Sequence, residues 1–221
     1  MNKLISIKSL DISFNKNNVL NNVNIDVVTG KTTAIVGESG SGKTLSALSI
    51  LKLLPNSAKI NKGKIYFKNK DILDLPDNEI QKIRGNEITT IFQEPMTSLN
   101  PLHTINKQIE EIILTHNKLS DKEVKDQTKN LLNEVGLSEI ATRQKVYPFE
   151  LSGGQRQRIM IAMSIANNPE LIIADEPTTA LDVTIQMQIL ELLSNLQNKF
   201  GMTMLFISHD ISIVKKIADY V

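Results

Sequence analysis

The chain has 221 residues, of which 41% are hydrophobic and 22% are charged, and its formal net charge is +1. Because 25 basic residues are balanced by 24 acidic ones, the composition gives no electrostatic case for binding nucleic acid or an anionic membrane surface. The absence of cysteine excludes disulfides, thiol catalysis and cysteine-ligated metal sites.

The first part of the chain is predicted to be mainly β-structure. Runs that alternate polar and apolar residues, or that are rich in β-branched residues, are typical of strands. Such strands are predicted at residues 4–14, 19–28, 31–37, 63–67 and 87–93. Between the third and fourth of them, apolar residues at helical spacing begin after Lys43, and Pro55 stops this helix.

The middle of the chain is predicted to be helical. A polar-faced helical pattern covers residues 104–136, and within it Ser120 and Glu123 form a capping-box signature at a helix start. Helical spacing resumes after Ser152.

Apolar strands return near the end of the sequence. They are predicted at residues 171–175 and 202–208, with an amphipathic helix between them that Gly201 ends. Because these strands alternate with helices, we predict an α/β fold whose parallel sheet is covered on both faces. We expect a single domain with a core that includes an N-terminal antiparallel β subdomain, and with an inserted helical subdomain: residues 1–93 and 169–221 for the core, 94–168 for the insertion.

The segment GESGSGKT fits the phosphate-binding pattern G-x-x-x-x-G-K-[ST] between a predicted strand and a predicted helix. Its glycines allow backbone N–H groups to surround a phosphate, and the helix that follows directs its positive end at the same oxygens. We expect Lys43 to reach the β- and γ-phosphates and the Thr44 hydroxyl to bind Mg²⁺. The alternative is a glycine- and serine-rich turn before an ordinary helix. The predicted phosphate loop consists of Gly37, Glu38, Ser39, Gly40, Ser41, Gly42, Lys43 and Thr44.

Two adjacent carboxylates follow the apolar strand LIIAD. Asp175 at the strand end is predicted to bind Mg²⁺, and Glu176 is predicted to activate the water that attacks the γ-phosphate. Paired carboxylates at a strand end are also common as solvated turn residues. The phosphate loop elsewhere in the chain favours the catalytic interpretation.

Several further motifs follow one another in a fixed order. They are FQEP at 92–95, LSGGQRQR at 151–158, LIIADEP at 171–177, ALD at 180–182 and ISHD at 207–210. With the phosphate loop, this set resembles the ATP-binding-cassette (ABC) family of transporter ATPases over essentially the whole chain. The resemblance implies the P-loop NTPase (RecA-like) fold of that family, with ATP and Mg²⁺ as cofactors.

The resemblance also implies a purpose for a second anion-binding helix start. In this family two cassettes pack head to tail, and each ATP lies between the phosphate loop of one cassette and the LSGGQ helix of the other. The residues implied to contact the ATP of a partner cassette are Ser152, Gly153, Gly154 and Gln155. A serine N-cap, two glycines and a helix N-terminus suit an anion physically, whereas Arg156 and Arg158 are interpreted as solvated or structural.

Four other residues take roles through the resemblance. Phe14 lies where the family has an aromatic ring under adenine, although a strand aromatic could equally belong to the core. Gln93 would contact Mg²⁺ and the attacking water, and His209 would hold the γ-phosphate beside Glu176. Asp182 would contact the partner cassette across the dimer.

The residues in and around two of the motifs narrow the resemblance to one branch of the family. EPMTSLNPLHT and ADEPTTALDVTIQ are similar to the oligopeptide, dipeptide and nickel import branch. EPMTSLNPLHT most resembles the first half of the tandem ATPases of microcin- and peptide-type importers. The family typically continues with a strand after ADYV, so we expect its last strands to be missing here. Thr44 also replaces a commoner serine, and its hydroxyl can do the same work.

The resemblance therefore implies an ATPase subunit that powers import of peptides or a related small solute. Its expected partners are a second cassette, transmembrane permease subunits and, indirectly, an extracytoplasmic solute-binding protein, with no nucleic acid. No stretch reaches the roughly 20 apolar residues that span a bilayer, so another chain would have to provide any membrane-spanning part. The resemblance implies a peripheral protein at the cytoplasmic face of the inner (plasma) membrane. Two alternatives stay open: a non-transport ABC ATPase that acts on nucleic acid or ribosomes, and a non-catalytic module that binds nucleotide without turnover.

Overall fold

The computed structural model describes residues 2–15, 17–93, 98–143, 145–179 and 181–221. In this part of the chain, strands and helices form two four-stranded sheets with helices packed against them. No helix in the described part of the chain combines the length and the apolar character needed to cross a bilayer.

One sheet is parallel and forms the centre of the fold. Its strands are β3 (Thr32–Val36), β6 (Ile88–Ile91), β7 (Leu171–Asp175) and β8 (Thr203–Ser208), in the spatial order β3-β8-β7-β6. The sequence predicted each of these strands, with ends that differ by one or two residues. All residues of β7 and β8 are buried, as expected for a parallel sheet that is covered on both faces.

The other sheet is antiparallel and lies against one face of the parallel sheet. Its strands are β1 (Lys3–Phe14), β2 (Asn17–Val28), β4 (Ala58–Phe67) and the short β5 (Lys70–Asp71), in the order β2-β1-β4-β5. Helices α1 (Lys43–Ile50) and α2 (Asp77–Ile83) contribute to the same apolar cluster. Within β7, Leu171 and Ile173 point into this cluster.

The remaining helices contribute to the apolar cluster on the opposite face of the parallel sheet. Ile172 and Ala174 of β7 join the apolar cluster on this side, so the period of two along the strand divides its side chains between the two layers. The helices that contribute are α3 (Ile105–His116), α4 (Asp121–Glu134), α5 (Ser138–Ala141), α6 (Gly153–Ile165), α7 (Val183–Phe200) and α8 (Ile211–Ile217).

Local signals for helix ends are confirmed at two of these helices. The Ser120 side chain accepts from the Glu123 N–H, and the Glu123 side chain accepts from the Ser120 N–H, which completes the predicted capping box of α4. Gly201 ends α7 with a φ of 65°, the left-handed conformation that glycine adopts without a steric penalty.

Helices α3 to α6 lie within residues 94–168, which the sequence analysis assigned to a helical subdomain. Residues 94–97 of that range lie outside the described residues, and the division into core and insertion stays a prediction. The sequence did not predict β5, α2, α5 or α8, which are all seven residues or shorter.

Candidate active site

The candidate site lies at the carboxyl edge of the parallel sheet. β3 leads into the phosphate loop, β6 leads to Gln93, β7 ends at Asp175, and β8 is followed by His209. Because parallel strands present their carboxyl ends at one edge, residues far apart in the sequence come together here. Glu94 and Pro95 of the FQEP motif, and Ala180 of the ALD motif, lie outside the described residues.

The phosphate loop turns sharply between β3 and α1. Gly40 and Gly42 have φ values of 81° and 91°, the left-handed region that favours glycine. A Cβ atom at Gly42 would also meet the end of the Leu20 side chain, which would have to move, so the backbone conformation is the main reason for glycine here. The residues from Glu38 to Ser41 are exposed, which leaves the loop open to a ligand.

Lys43 is held inside the loop. Its ammonium donates hydrogen bonds of 2.8 Å to the carbonyl oxygens of Gly37 and Glu38, and only 7% of the residue is exposed. The loop therefore fixes a buried positive charge directly beside the N-terminus of α1. Both features favour an anion at this position.

Asp175 provides a buried negative charge near that lysine. The residue is 7% exposed, and its Oδ1 atom has no hydrogen-bond partner among the described residues. Burial raises the pKa of this carboxyl; the Thr44 hydroxyl and the Lys43 ammonium act in the opposite direction, and the charge of Glu176 raises it further.

These oxygens fit a hard divalent cation. An unpartnered buried carboxylate oxygen beside the Thr44 hydroxyl belongs to the ligand class that Mg²⁺ prefers. No group of three histidine, aspartate or glutamate side chains in the described ranges could hold a metal. Mg²⁺ usually binds through one or two carboxylates and keeps several waters or phosphate oxygens as further ligands, which is compatible with the few protein oxygens here.

Glu176 is the centre of a second cluster. Its backbone N–H donates to the carbonyl of Ile207 at 3.0 Å, and its φ of 47° is unusual for a residue other than glycine. The Gln93 amide nitrogen and the His209 Nδ1 lie 3.2 and 3.1 Å from Oε2 of its carboxylate. The structure thus brings together the three residues that the sequence predicted to be catalytic.

One contact in this cluster was missed by the sequence analysis. The hydroxyl of Thr179 donates to the same Oε2 atom at 3.0 Å. The sequence did not indicate this contact, because either hydroxyl of the two threonines at 178–179 could have faced Glu176. Thr178 instead accepts a hydrogen bond from Gln186 of α7 at 3.2 Å.

The LSGGQ segment begins helix α6. The Ser152 hydroxyl accepts from the Gln155 N–H at 3.2 Å, and the Gln155 side chain accepts from the Ser152 N–H at 3.0 Å. This capping box leaves Ser152 and Gly153 exposed at the helix N-terminus. Gly154 has a packing reason of its own, since a Cβ atom there would lie 2.9 Å from Cγ2 of Ile185.

The LSGGQ segment lines a cavity to which the phosphate loop does not contribute. Ser152, Gly154 and Gln155 line a cavity of about 610 Å³ together with residues of α5 and α7, and no phosphate-loop residue lines it. The two arginines of the motif are structural, as expected. Arg156 donates to the Pro148 carbonyl at 2.9 Å, and Arg158 donates to the Val135 carbonyl at 2.8 Å.

Two further predicted residues lie at element ends. Asp182 is exposed and is the N-cap of α7, where its carboxylate accepts from the Ile185 N–H at 2.9 Å. Phe14 is the last residue of β1 and is partly exposed. Leu20 of β2 lies close enough to Gly42 to meet a Cβ atom there. Leu20 also pairs with Ile12 of β1, two residues before Phe14. This end of the β1–β2 hairpin therefore lies against the phosphate loop.

A comparison of the chain with known protein families finds a match. The family described as "ABC transporter" matches residues 20–179. The chain belongs to the ABC transporter family. The matched range includes the phosphate loop, the LSGGQ segment, Asp175 and Glu176.

Individual relatives carry transport names. The chain is 54% identical to the peptidoglycan transport ATP-binding protein YejF of Agrobacterium fabrum, over 99% of this chain and 41% of that relative. It is 46% identical to the dipeptide transport ATP-binding protein DppD of Bacillus subtilis, over 100% of this chain and 68% of that relative. The chain spans about two fifths of the length of YejF relatives from two organisms.

Solved structures confirm the cassette fold. The dimeric bacterial ABC transporter cassette MJ0796 superimposes with a TM-score of 0.83 at 32% identity, over 96% of this chain and 91% of that one. The same cassette has been solved as a dimer in a post-hydrolysis state bound to ADP and Pi, with the same score.

Proposed function

We propose that this chain is the ATP-hydrolysing cassette of an importer for peptides or a related small solute. The observation that carries the proposal is the convergence of Gln93 and His209 on the Glu176 carboxylate, at the sheet edge that also holds Lys43 and Asp175. Relatives named for dipeptide and oligopeptide transport support the class of solute.

The phosphate-loop residues bind the nucleotide in this proposal. Backbone N–H groups of the loop and the Lys43 ammonium hold the β- and γ-phosphates, whose negative charge they offset. Thr44, Asp175 and Gln93 would hold Mg²⁺, which when bound neutralises charge on the phosphates. Phe14 would lie under the adenine, where aromatic stacking adds about 0.5–1.5 kcal/mol.

Glu176 is proposed as the general base. It takes a proton from a water molecule while the water oxygen forms a bond to the γ-phosphorus and the bond to the bridging oxygen of ADP breaks. Gln93 orients the water, and His209 holds the γ-phosphate. The products are ADP, inorganic phosphate and the proton that Glu176 later releases.

A complete site requires a second cassette. The exposed N-terminus of α6, with Ser152 through Gln155, would face the γ-phosphate of ATP held by the partner's loop, and Asp182 would contact the partner. Support comes from the exposed N-terminus of α6 in this chain and from the dimeric structure of the similar cassette MJ0796. The bound γ-phosphate then favours the closed pair, and its loss on hydrolysis reopens the pair.

The remaining partners follow from the transport names of the relatives. We propose that permease subunits provide the path through the membrane and that an extracytoplasmic solute-binding protein delivers the solute. The cassette would then lie at the cytoplasmic face of the inner (plasma) membrane as a peripheral subunit, without nucleic acid as a partner.

The substitution Glu176→Gln tests the proposed catalytic role. It keeps the size of the side chain but removes the base, so we expect ATP affinity to stay near wild type while turnover falls about 10²–10⁴-fold. Nucleotide titration and a single-turnover hydrolysis assay measure the two quantities separately. A near-normal single-turnover rate would reject Glu176 as the base.

A further inference from the structure

The three side chains that hold the Glu176 carboxylate all contact the same oxygen atom. Gln93, Thr179 and His209 lie 3.2, 3.0 and 3.1 Å from Oε2, and none of these contacts uses Oε1. Oε2 is therefore the oxygen through which the neighbouring side chains hold the Glu176 carboxylate in place.

Thr179 differs from the other two partners in its position. It belongs to the turn that follows β7, and its backbone N–H donates to the carbonyl oxygen of Glu176 at 3.1 Å. The same residue thus fixes both the backbone and the carboxylate of Glu176. Gln93 and His209 come from other strand ends and are exposed, with 58% of the His209 side chain accessible.

The backbone of Glu176 shows that this placement is imposed by the surrounding turn. A left-handed φ in a residue other than glycine costs about 1–3 kcal/mol and persists only where neighbouring contacts hold it. The Ile207 carbonyl and the Thr179 N–H bind the two sides of this residue. Only 12% of the Glu176 side chain is exposed, so its carboxylate has little freedom to turn.

We propose that Thr179 is a positioning residue, whose hydroxyl fixes Oε2 of Glu176 and thereby reserves Oε1 for the proton of the attacking water. This inference rests on the proposed role of Glu176 as the base. In the step itself, the water O–H bond breaks and its proton goes to Oε1. The water oxygen binds the γ-phosphorus, and the electron pair of the broken phosphorus–oxygen bond leaves with ADP.

The substitution Thr179→Val tests this role, because valine keeps the shape of threonine and removes the hydroxyl. We expect kcat for ATP hydrolysis to fall about tenfold, as for loss of one hydrogen bond to a charged group, while KM stays within about twofold. Thr179→Ser retains the hydroxyl and is expected to recover kcat to within about threefold of wild type. Thermal unfolding checks that the variants fold, and Thr179→Ala replaces the valine variant if that one does not.

Thr178→Val is the matched control. It removes the neighbouring hydroxyl, which accepts a hydrogen bond from Gln186, so we expect kcat near that of wild type. Wild-type kcat in Thr179→Val would overturn the inference, as would equal losses in the valine and serine variants. If Glu176→Gln loses turnover in the same assay, such results overturn the role of Thr179 alone. If Glu176→Gln keeps wild-type turnover, the proposed base and this inference both fail.

Discussion

The buried carboxylate of Asp175 lowers the stability of the nucleotide-free protein, and Asp175→Asn should therefore raise it. The residue is 7% exposed, and its Oδ1 atom lacks a hydrogen-bond partner among the described residues. The folded protein therefore keeps a buried charge whose burial outweighs the favourable effects of Thr44 and Lys43. Asparagine has nearly the same shape and removes that charge.

The size of the effect follows from burial. An unpartnered buried polar group costs about 1–3 kcal/mol, and more when it is charged. Since asparagine stays polar, we expect Asp175→Asn to recover only part of this cost, about 1 kcal/mol in the free energy of unfolding at pH 8. For a chain of this length, that corresponds to a rise of about 2–4 °C in Tm.

The pH dependence has a defined sign. Because burial raises the pKa of Asp175 in the folded protein, this group favours folding below its unfolded value, and that contribution is lost as pH rises through the folded pKa. The advantage of Asp175→Asn is thus expected to be largest at pH 8 and to shrink as pH falls through the raised pKa. Denaturation in EDTA without nucleotide measures it.

This experiment includes a control variant, Asp26→Asn, and a second measurement with Mg²⁺ and ATP present. Asp26 has a lowered pKa because Lys3 donates to its carboxylate, with burial opposing the effect. Asp26→Asn should therefore be destabilising, by about 0–1 kcal/mol for an exposed pair. Addition of Mg²⁺ and ATP should stabilise the wild type more than Asp175→Asn. A variant less stable than wild type at pH 8 would refute the argument, because it would mean that protein groups already satisfy the Asp175 carboxylate.

Two other substitutions test residues at the N-termini of two helices, Lys43 in the phosphate loop and Gly154 in the LSGGQ segment. Lys43→Ala should weaken ATP binding about 10- to 100-fold, as for loss of a charge-assisted hydrogen bond, and an unchanged affinity in a nucleotide titration would contradict the assignment. Gly154→Ala should lower the free energy of unfolding by about 1–3 kcal/mol, because its Cβ would lie 2.9 Å from Ile185. Gly153→Ala, whose Cβ would lie 3.7 Å from Leu181, should cost less in the same denaturation assay, and equal losses would argue against the packing explanation.

Much of the fold could be predicted because its signals are local. The apolar strands β7 and β8 are short and continuous, and the cap at Gly201 and the capping box at Ser120 depend on neighbouring residues alone. The ends of helices and strands were predicted less closely. The helix after Lys43 ends at Ile50 and does not continue to Pro55, and β6 ends at Ile91 before Gln93.

The features that the sequence did not predict depend on tertiary contacts. Helix α2 is short, and two of its residues, Ile80 and Ile83, are buried in the cluster beneath the antiparallel sheet. The contact of Thr179 with Glu176 depends on the turn conformation after β7, which the sequence pattern does not define. Gly154 was interpreted as room for an anion, and its packing against Ile185 could be recognised only from the fold.

The central claim is that one copy of this chain carries two half-sites, which become complete only when two cassettes pair. A disulfide test is direct because the chain contains no cysteine. Ser39→Cys and Ser152→Cys would be introduced together in the Glu176→Gln background and oxidised with ATP present. The account predicts a disulfide-linked dimer on a non-reducing gel that neither single-cysteine variant forms. A product of monomer size with both thiols consumed would contradict it.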